Sequence, residues 1–295
     1  DALLAHRSQF VTTHDIPPVV GVKVENSIHA RPQTGLEEAD VVFVEMVEGG
    51  TTRFHALYNT SFPEVVGPVR SVRPMDAAIL GQWSGTLVYS GGQPQFVQRV
   101  RDAGLLLVED DAGDPSFFRS RDRRAPHNLY TELPVVLGLI DEDHDDPPAP
   151  MFSYGEPSSA AGGAPVAWLR AQYPTVRSGW EWEADTGLWE RYDNGVANWS
   201  TDMVPLTAAN VLVLRVEIRD TGSRDSANQW VPETILTGSG ELVLFGEGAM
   251  VEGTWNKGGD NDPFEFTDAA GEPLLLTPGI TWVELLPVDS TLTPG

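Results

Sequence analysis

The chain has 295 residues, 43 acidic against 19 basic side chains and no cysteine, giving a formal net charge of −24. That charge argues against a general nucleic-acid or anionic-membrane binder, which needs a basic face to neutralise phosphates. The lack of cysteine excludes disulfides, thiol catalysis and thiolate zinc sites, while a 41% apolar fraction with nine Trp can fill the core of one large or two modest domains.

Residues 1–17 read as a tail. The opening DALLAHRSQF lacks the basic-then-apolar pattern of a signal peptide, so the chain is either cytosolic or its export segment precedes Asp1. No apolar run reaches 18 residues, so no segment reads as a membrane-spanning helix.

Residues 18–140 read as a mixed α/β domain with helices packed on a sheet. VVGVKV (19–24), DVVFVEMV (40–47), RFHALY (53–58), TLVYS (86–90) and LLLVED (105–110) are β-branched or apolar and bounded by turn residues, as strands are. Helices are predicted over 74–83, with Pro74 in the first turn, and over 94–103, with Phe96, Val97 and Val100 on one side. A third follows Thr131, which can cap ELPVVLGLI (132–140).

Residues 141–165, rich in Asp, Pro, Gly, Ser and Ala, read as a linker or mobile loop. Their DEDHDD run lacks calcium-loop spacing. Residues 166–295 read as a mainly-β domain. It opens on a hairpin in which Trp180, Trp182, Trp189 and Tyr192 alternate with charged residues around Thr186-Gly187. NVLVLRVEI (210–218), GELVLFGEGAMVEGTWNK (240–257) and ITWVELLP (280–287) continue the strand pattern. The expected fold class is therefore α+β.

The positive charge is unevenly placed. Seventeen of the 19 basic residues are Arg, and His29 to Asn128 holds ten Arg against thirteen acids. That stretch is near neutrality inside a strongly acidic chain. Guanidinium groups grip carboxylate or phosphate with paired hydrogen bonds, so a small anion is a natural ligand here.

Four motifs concentrate this chemistry. VEGGTTRF (47–54) sets Gly49 and Gly50 between two strands, with Glu45, Glu48 and Arg53 nearby. GPVRSVRP (67–74) places Arg70, Ser71 and Arg73 before a predicted helix start, a plausible anion cradle. YSGGQPQ (89–95) repeats the device with Ser90, Gly91 and Gly92, but without P-loop or GxGxxG spacing. FFRSRDRRAPHNLYT (117–131) carries Arg124, His127 and Asn128. His127 is a candidate general acid/base, oriented by Asp76, Glu45 or Glu48. In a fifth loop, Asn26, His29 and Arg31 lie together. His29 and His127 have no metal-site spacing, and neither a metal nor a cofactor is expected.

The succession VENSIHARPQTGLEEADVVFVEMVEGGTTRF, GPVRSVRP, SGGQPQ and RAPHNLY resembles the YerB-like bacterial lipoproteins over about residues 18–132. NVLVLRVEI, GTWNK (253–257) and LTPGITWVELLP (276–287) resemble that family's smaller C-terminal domain. The resemblance implies an exported, lipid-anchored protein, touching the membrane only through an anchor upstream of Asp1. It supplies no reaction. Its motif positions fall on Asn26, Arg31, Glu45, Glu48, Gly49, Gly50, Arg53, Arg70, Ser71, Arg73, Gly91, Gly92, Arg124, His127 and Asn128.

Three functions are weighed. The first is extracytoplasmic capture of a small anionic envelope ligand by an Arg/Gly-rich cleft. The second is a hydrolase or transferase on such a phosphoryl or acyl ligand, with His127 as acid/base, Arg70 and Arg73 stabilising charge and Glu45 or Glu48 orienting groups. The third is an envelope scaffold docking through Trp180, Trp182 and Trp189. Oligomeric state is left open.

Overall fold

The computed structural model describes residues 17–111 and 113–295. Strands dominate, and the molecule is mainly β. The helices that the sequence predicts exist but are short: α1 (Asp76–Leu80), α2 (Pro94–Asp102) and α3 (Leu133–Leu137). The first is only five residues long before it tightens into a 3₁₀ turn at Gly81–Trp83. Thr131 is no cap, since it pairs in the strand Leu129–Glu132. The expected layer of helices on a sheet thus reduces to three short segments.

A twelve-stranded sheet forms the frame. Its centre is built from β1 (Val20–Glu25), β2 (Val41–Met46), β3 (Thr52–Tyr58) and the strand Thr281–Pro287. All four are buried along their whole length, which is why each reads as a nearly continuous apolar run. β2 pairs antiparallel with β3 and parallel with Thr281–Pro287, with Val42 opposite Trp282. One sheet therefore runs from the strands of the first 110 residues into those of the last 90. On the far side of Thr281–Pro287 lie Asn210–Arg224, Gly238–Gly246 and Ala249–Lys257.

A second, six-stranded sheet packs on this frame and contains the predicted hairpin, Arg177–Glu183 with Leu188–Asp193. Trp180 and Trp189 are fully buried, beside Trp282, Phe54 and Phe245. Burial on that scale removes them as docking rings, so the scaffold reading built on Trp180, Trp182 and Trp189 loses its basis. A buried polar knot joins the two sheets. Glu284 accepts hydrogen bonds from Trp180 Nε1 (3.0 Å), Arg191 Nη1 (2.9 Å), Tyr173 Oη (2.9 Å) and Ser178 Oγ. Arg191 lies over the Trp282 ring at 4.6 Å, so its charge is met by a carboxylate and by aromatic faces.

The segment 141–165 is exposed over most of residues 141–150. It then buries Met151, Phe152 and Ala160 in a hydrophobic cluster and adds the edge strand Ala164–Pro165 to the large sheet. Composition understated its packing because three apolar side chains suffice to fix it.

Candidate functional site

The site grows from strand register. Glu25 lies opposite Arg53, and Glu45 lies opposite Arg53 on its other side. Two residues along, Lys23 lies opposite His55. Side chains alternate faces along a strand, so these five polar groups share one face of the sheet. GPVRSVRP and α1 cover that face.

Deep in the row is a fully buried cluster of Lys23, Glu45, His55 and Asp76. Lys23 Nζ is hydrogen-bonded to Glu45 and lies 2.5 Å from Asp76 Oδ1. His55 Nδ1 lies 3.0 Å from the same Asp76 oxygen. Burial and the neighbouring Asp76 push Glu45 up to about 8. Burial alone would raise Asp76 too, but Lys23 and His55 pull it below the usual carboxylate range. Burial holds His55 down, as a neutral imidazole. One ammonium thus balances one ionised carboxylate, Asp76, and the second carboxyl keeps its proton. Glu45, His55 and Asp76 bring donor atoms within 4.8 Å of one another, a spacing that would suit a metal. Lys23 Nζ stands among them and supplies the positive charge. The sequence reading passed over Lys23 and His55. The signal was there: a lysine, one of two in the chain, inside the apolar strand VVGVKVE.

Asp76 also links this cluster to the surface, because its Oδ2 accepts from the Arg73 backbone N–H at 2.6 Å. The donor expected to cradle an anion at this helix start is therefore taken by the helix's own Asp.

Above the cluster opens a cleft of about 620 Å³. One wall carries Glu25, Glu48, Arg53, Arg70, Ser71 and Arg73. Gly92 and Gln93, just before α2, form part of the rim. The opposite wall is the tip of the hairpin formed by Asn210–Arg224 and Trp230–Ile235, with Arg224, Asp225, Ser226 and Gln229. Gln93 Nε2 donates to the Arg224 carbonyl at 2.9 Å, and Gln95 Nε2 to Ser223 Oγ at 3.0 Å, fastening the walls together. Gly49 and Gly50 have φ of +70° and +67°, and a Cβ on either would strike Gln229 or Pro174. The Gly-Gly turn thus packs closely against Gln229 and Pro174.

The four guanidinium groups are held differently. Arg73 is gripped by Glu48 through two contacts of 2.7 Å. Arg70 lies 3.8 Å from Glu25 and donates to the Pro126 carbonyl at 3.4 Å. Arg53 donates to the Ser71 carbonyl at 2.9 Å. Burial and the charge of Arg73 pull Arg53 down to about 9. Arg224 is more exposed, 4.0 Å from Asp220.

His127 does not line this cleft. Its Nδ1 lies 2.8 Å from Glu25, in an adjoining pocket with His29, Arg123 and Arg124. The expected orienting carboxylates were Glu45, Glu48 and Asp76. The observed one is Glu25, since Glu45 and Asp76 are committed to Lys23 and Glu48 to Arg73. Other candidates are structural. Arg31 bonds Asn26 and pairs with Asp193 at 3.1 Å, while Asn26 donates to Thr52. Ser90 Oγ donates to the Val69 carbonyl, and Gly91 accepts from the Val72 N–H. Asn128 accepts from Arg119. The sequence reading missed Glu25, Arg224 and Gln229.

The profile of the N-terminal domain of a protein of unknown function, DUF3048, matches residues 11–145, and that of its C-terminal domain matches residues 169–283. The chain belongs to the DUF3048 family. "Putative lipoprotein YerB" of Bacillus subtilis (strain 168) is 25% identical over 280 residues, covering 91% of this chain and 81% of that protein. The crystal structure of YerB protein from Bacillus subtilis superposes with a TM-score of 0.82 at 22% identity, over 96% of each chain. The DUF3048 fold is thus shared with a protein named as a lipoprotein. Among the described residues no helix is long and apolar enough to cross a membrane.

Proposed function

We propose that this DUF3048 protein is an extracytoplasmic, membrane-tethered receptor for a small anionic ligand of the cell envelope, bound in the arginine cleft. One observation carries the reading: Arg53, Arg70, Arg73 and Arg224 converge on one cleft in a chain of net charge −24. Among the described residues, of these four only Arg73 has a two-pronged carboxylate partner. Burial and the neighbouring Arg73 disfavour the Arg53 charge, and a bound anion would offset both. Ser71, Thr51, Thr52, Gln93 and Gln229 add hydroxyl and amide groups, which suit a ligand carrying sugar-like hydroxyls. The tethered location rests on the relative named as a lipoprotein.

Titration calorimetry with inorganic phosphate, a sugar 1-phosphate and a uronic acid tests this. At least one should bind, and Arg53→Ala with Arg70→Ala should weaken it by tenfold or more. Absence of binding to all three, or binding indifferent to both substitutions, would sink the proposal.

The Glu25–His127 pair favours a second reading, a hydrolase or transferase with His127 as acid/base. Turnover of a bound phosphoryl or acyl compound that His127→Gln abolishes, with binding intact, would replace the receptor reading with this one.

A further inference from the structure

One face joins exposed apolar side chains to unpaired arginines. Ile28 is 69% exposed, Met203 72%, Val196 64% and Trp199 42%. They surround a shallow, mostly apolar cavity of about 320 Å³. Arg123 binds the neighbouring arginine loop to this patch, donating to the His29 carbonyl at 3.1 Å and to that of Pro32. On that loop Arg121 and Arg124 are exposed, and among the described residues neither guanidinium has a hydrogen bond or ion pair. Asp122 and Asp202 are the exposed acids alongside, while Asp193 is buried against Arg31.

We propose that this face docks on an anionic lipid bilayer. Ile28, Trp199 and Met203 enter the interface, and Arg121 and Arg124 take lipid phosphate oxygens. Charge selects the partner. On this face Arg121, Arg123 and Arg124 outnumber Asp122 and Asp202 by one charge, on a molecule of charge −24, so an anionic surface attracts this face and repels the acidic remainder. Shape agrees: the apolar side chains project from turns far apart in sequence, and fluid hydrocarbon accepts such tips without a matched groove. Trp and Arg side chains both settle at the headgroup level. Ser27 lines the arginine cleft and adjoins Ile28, so docking sets that cleft beside the headgroups. The docking face stands independently of what the cleft binds.

Vesicle flotation of the non-acylated 295-residue chain tests this, with phosphatidylcholine alone and with one-third phosphatidylglycerol. Flotation is expected with the anionic vesicles, with a blue shift in Trp emission. Ile28→Ser with Met203→Ser should lower it by tenfold or more. Arg121→Ser with Arg124→Ser should abolish the preference for phosphatidylglycerol. Arg53→Ala should leave flotation unchanged, and circular dichroism should match the wild type in each surface variant. No flotation with either vesicle, or flotation unchanged in both surface variants, overturns the proposal. So does a lipid-free dimer that the Ile28 and Met203 changes dissociate, because the face would then belong to a second copy.

Discussion

Lys23 is the residue on which the cleft floor depends. Its ammonium holds Asp76 ionised, and Asp76 holds the backbone of Arg73. Lys23→Met would leave a buried carboxylate uncompensated, and removing one partner of such a pair costs about 3–5 kcal/mol. Denaturant unfolding should show that loss. Glu45 supplies a pH signature. Its folded value, about 8, lies above its ordinary 4.5, so the folded chain keeps a proton that the unfolded chain has lost. Stability from this group is full below 4.5 and falls as pH rises toward 8. His55 acts in the opposite sense, since its value is lowered from 6.5, but only below that pH. Between pH 6.5 and 8.5 the unfolding midpoint should therefore drop, and Glu45→Gln should flatten the drop. Equal slopes in the two proteins would refute this proton assignment.

At the scale of elements, the strands carry the site and the loops complete it. Alternation puts Lys23 with Glu25 and Arg53 with His55 on one face of their own strands, but the register that lines Glu25, Arg53 and Glu45 up across β1, β2 and β3 comes from the fold. Arg70, Arg73 and Glu48 were legible as candidates because they cluster in short motifs. Arg224 and Gln229 were not, since a hairpin tip more than 120 residues away has no local mark of its destination. The roles within the motifs were also hidden. Gly49 and Gly50 looked like ligand-approach glycines, yet their positive φ, and for Gly50 the Pro174 ring, already call for glycine. Glu45 looked catalytic because composition cannot report burial. The hairpin tip makes its own prediction. Replacing residues 225–228 with two glycines should cut affinity for the cleft anion about tenfold, the worth of one or two polar contacts of roughly 0.5–1.5 kcal/mol each. Thermal stability should change little, because the tip is exposed. Calorimetry and a melting curve on the same variant decide it.

For the whole molecule, the two-part reading of the sequence meets a sheet that crosses between the parts. The strand predictions at 40–47 and 280–287 were sound as strands, but nothing local to either says they are neighbours. Parallel partners far apart in sequence are set by the whole fold. It follows that residues 1–165 expressed alone leave β2 without its Thr281–Pro287 partner and should aggregate or bind hydrophobic dyes. Co-expression with residues 166–295 should restore a soluble pair through the β2 ladder and the second sheet. A stable, monomeric 1–165 fragment with a sharp melting transition would contradict this.

The placement of Thr281–Pro287 also has a kinetic meaning. The strand follows every other strand of the large sheet in the chain, yet it sits between β2 and Asn210–Arg224 at the centre of that sheet. Until it arrives, a chain already more than 250 residues long exposes an apolar edge at Val41–Met46 and another at Asn210–Leu214. Folding of the large sheet is thus closed by its own last strand. A chain truncated before Thr281 would stay open, degradable and unable to bring the two walls of the cleft together.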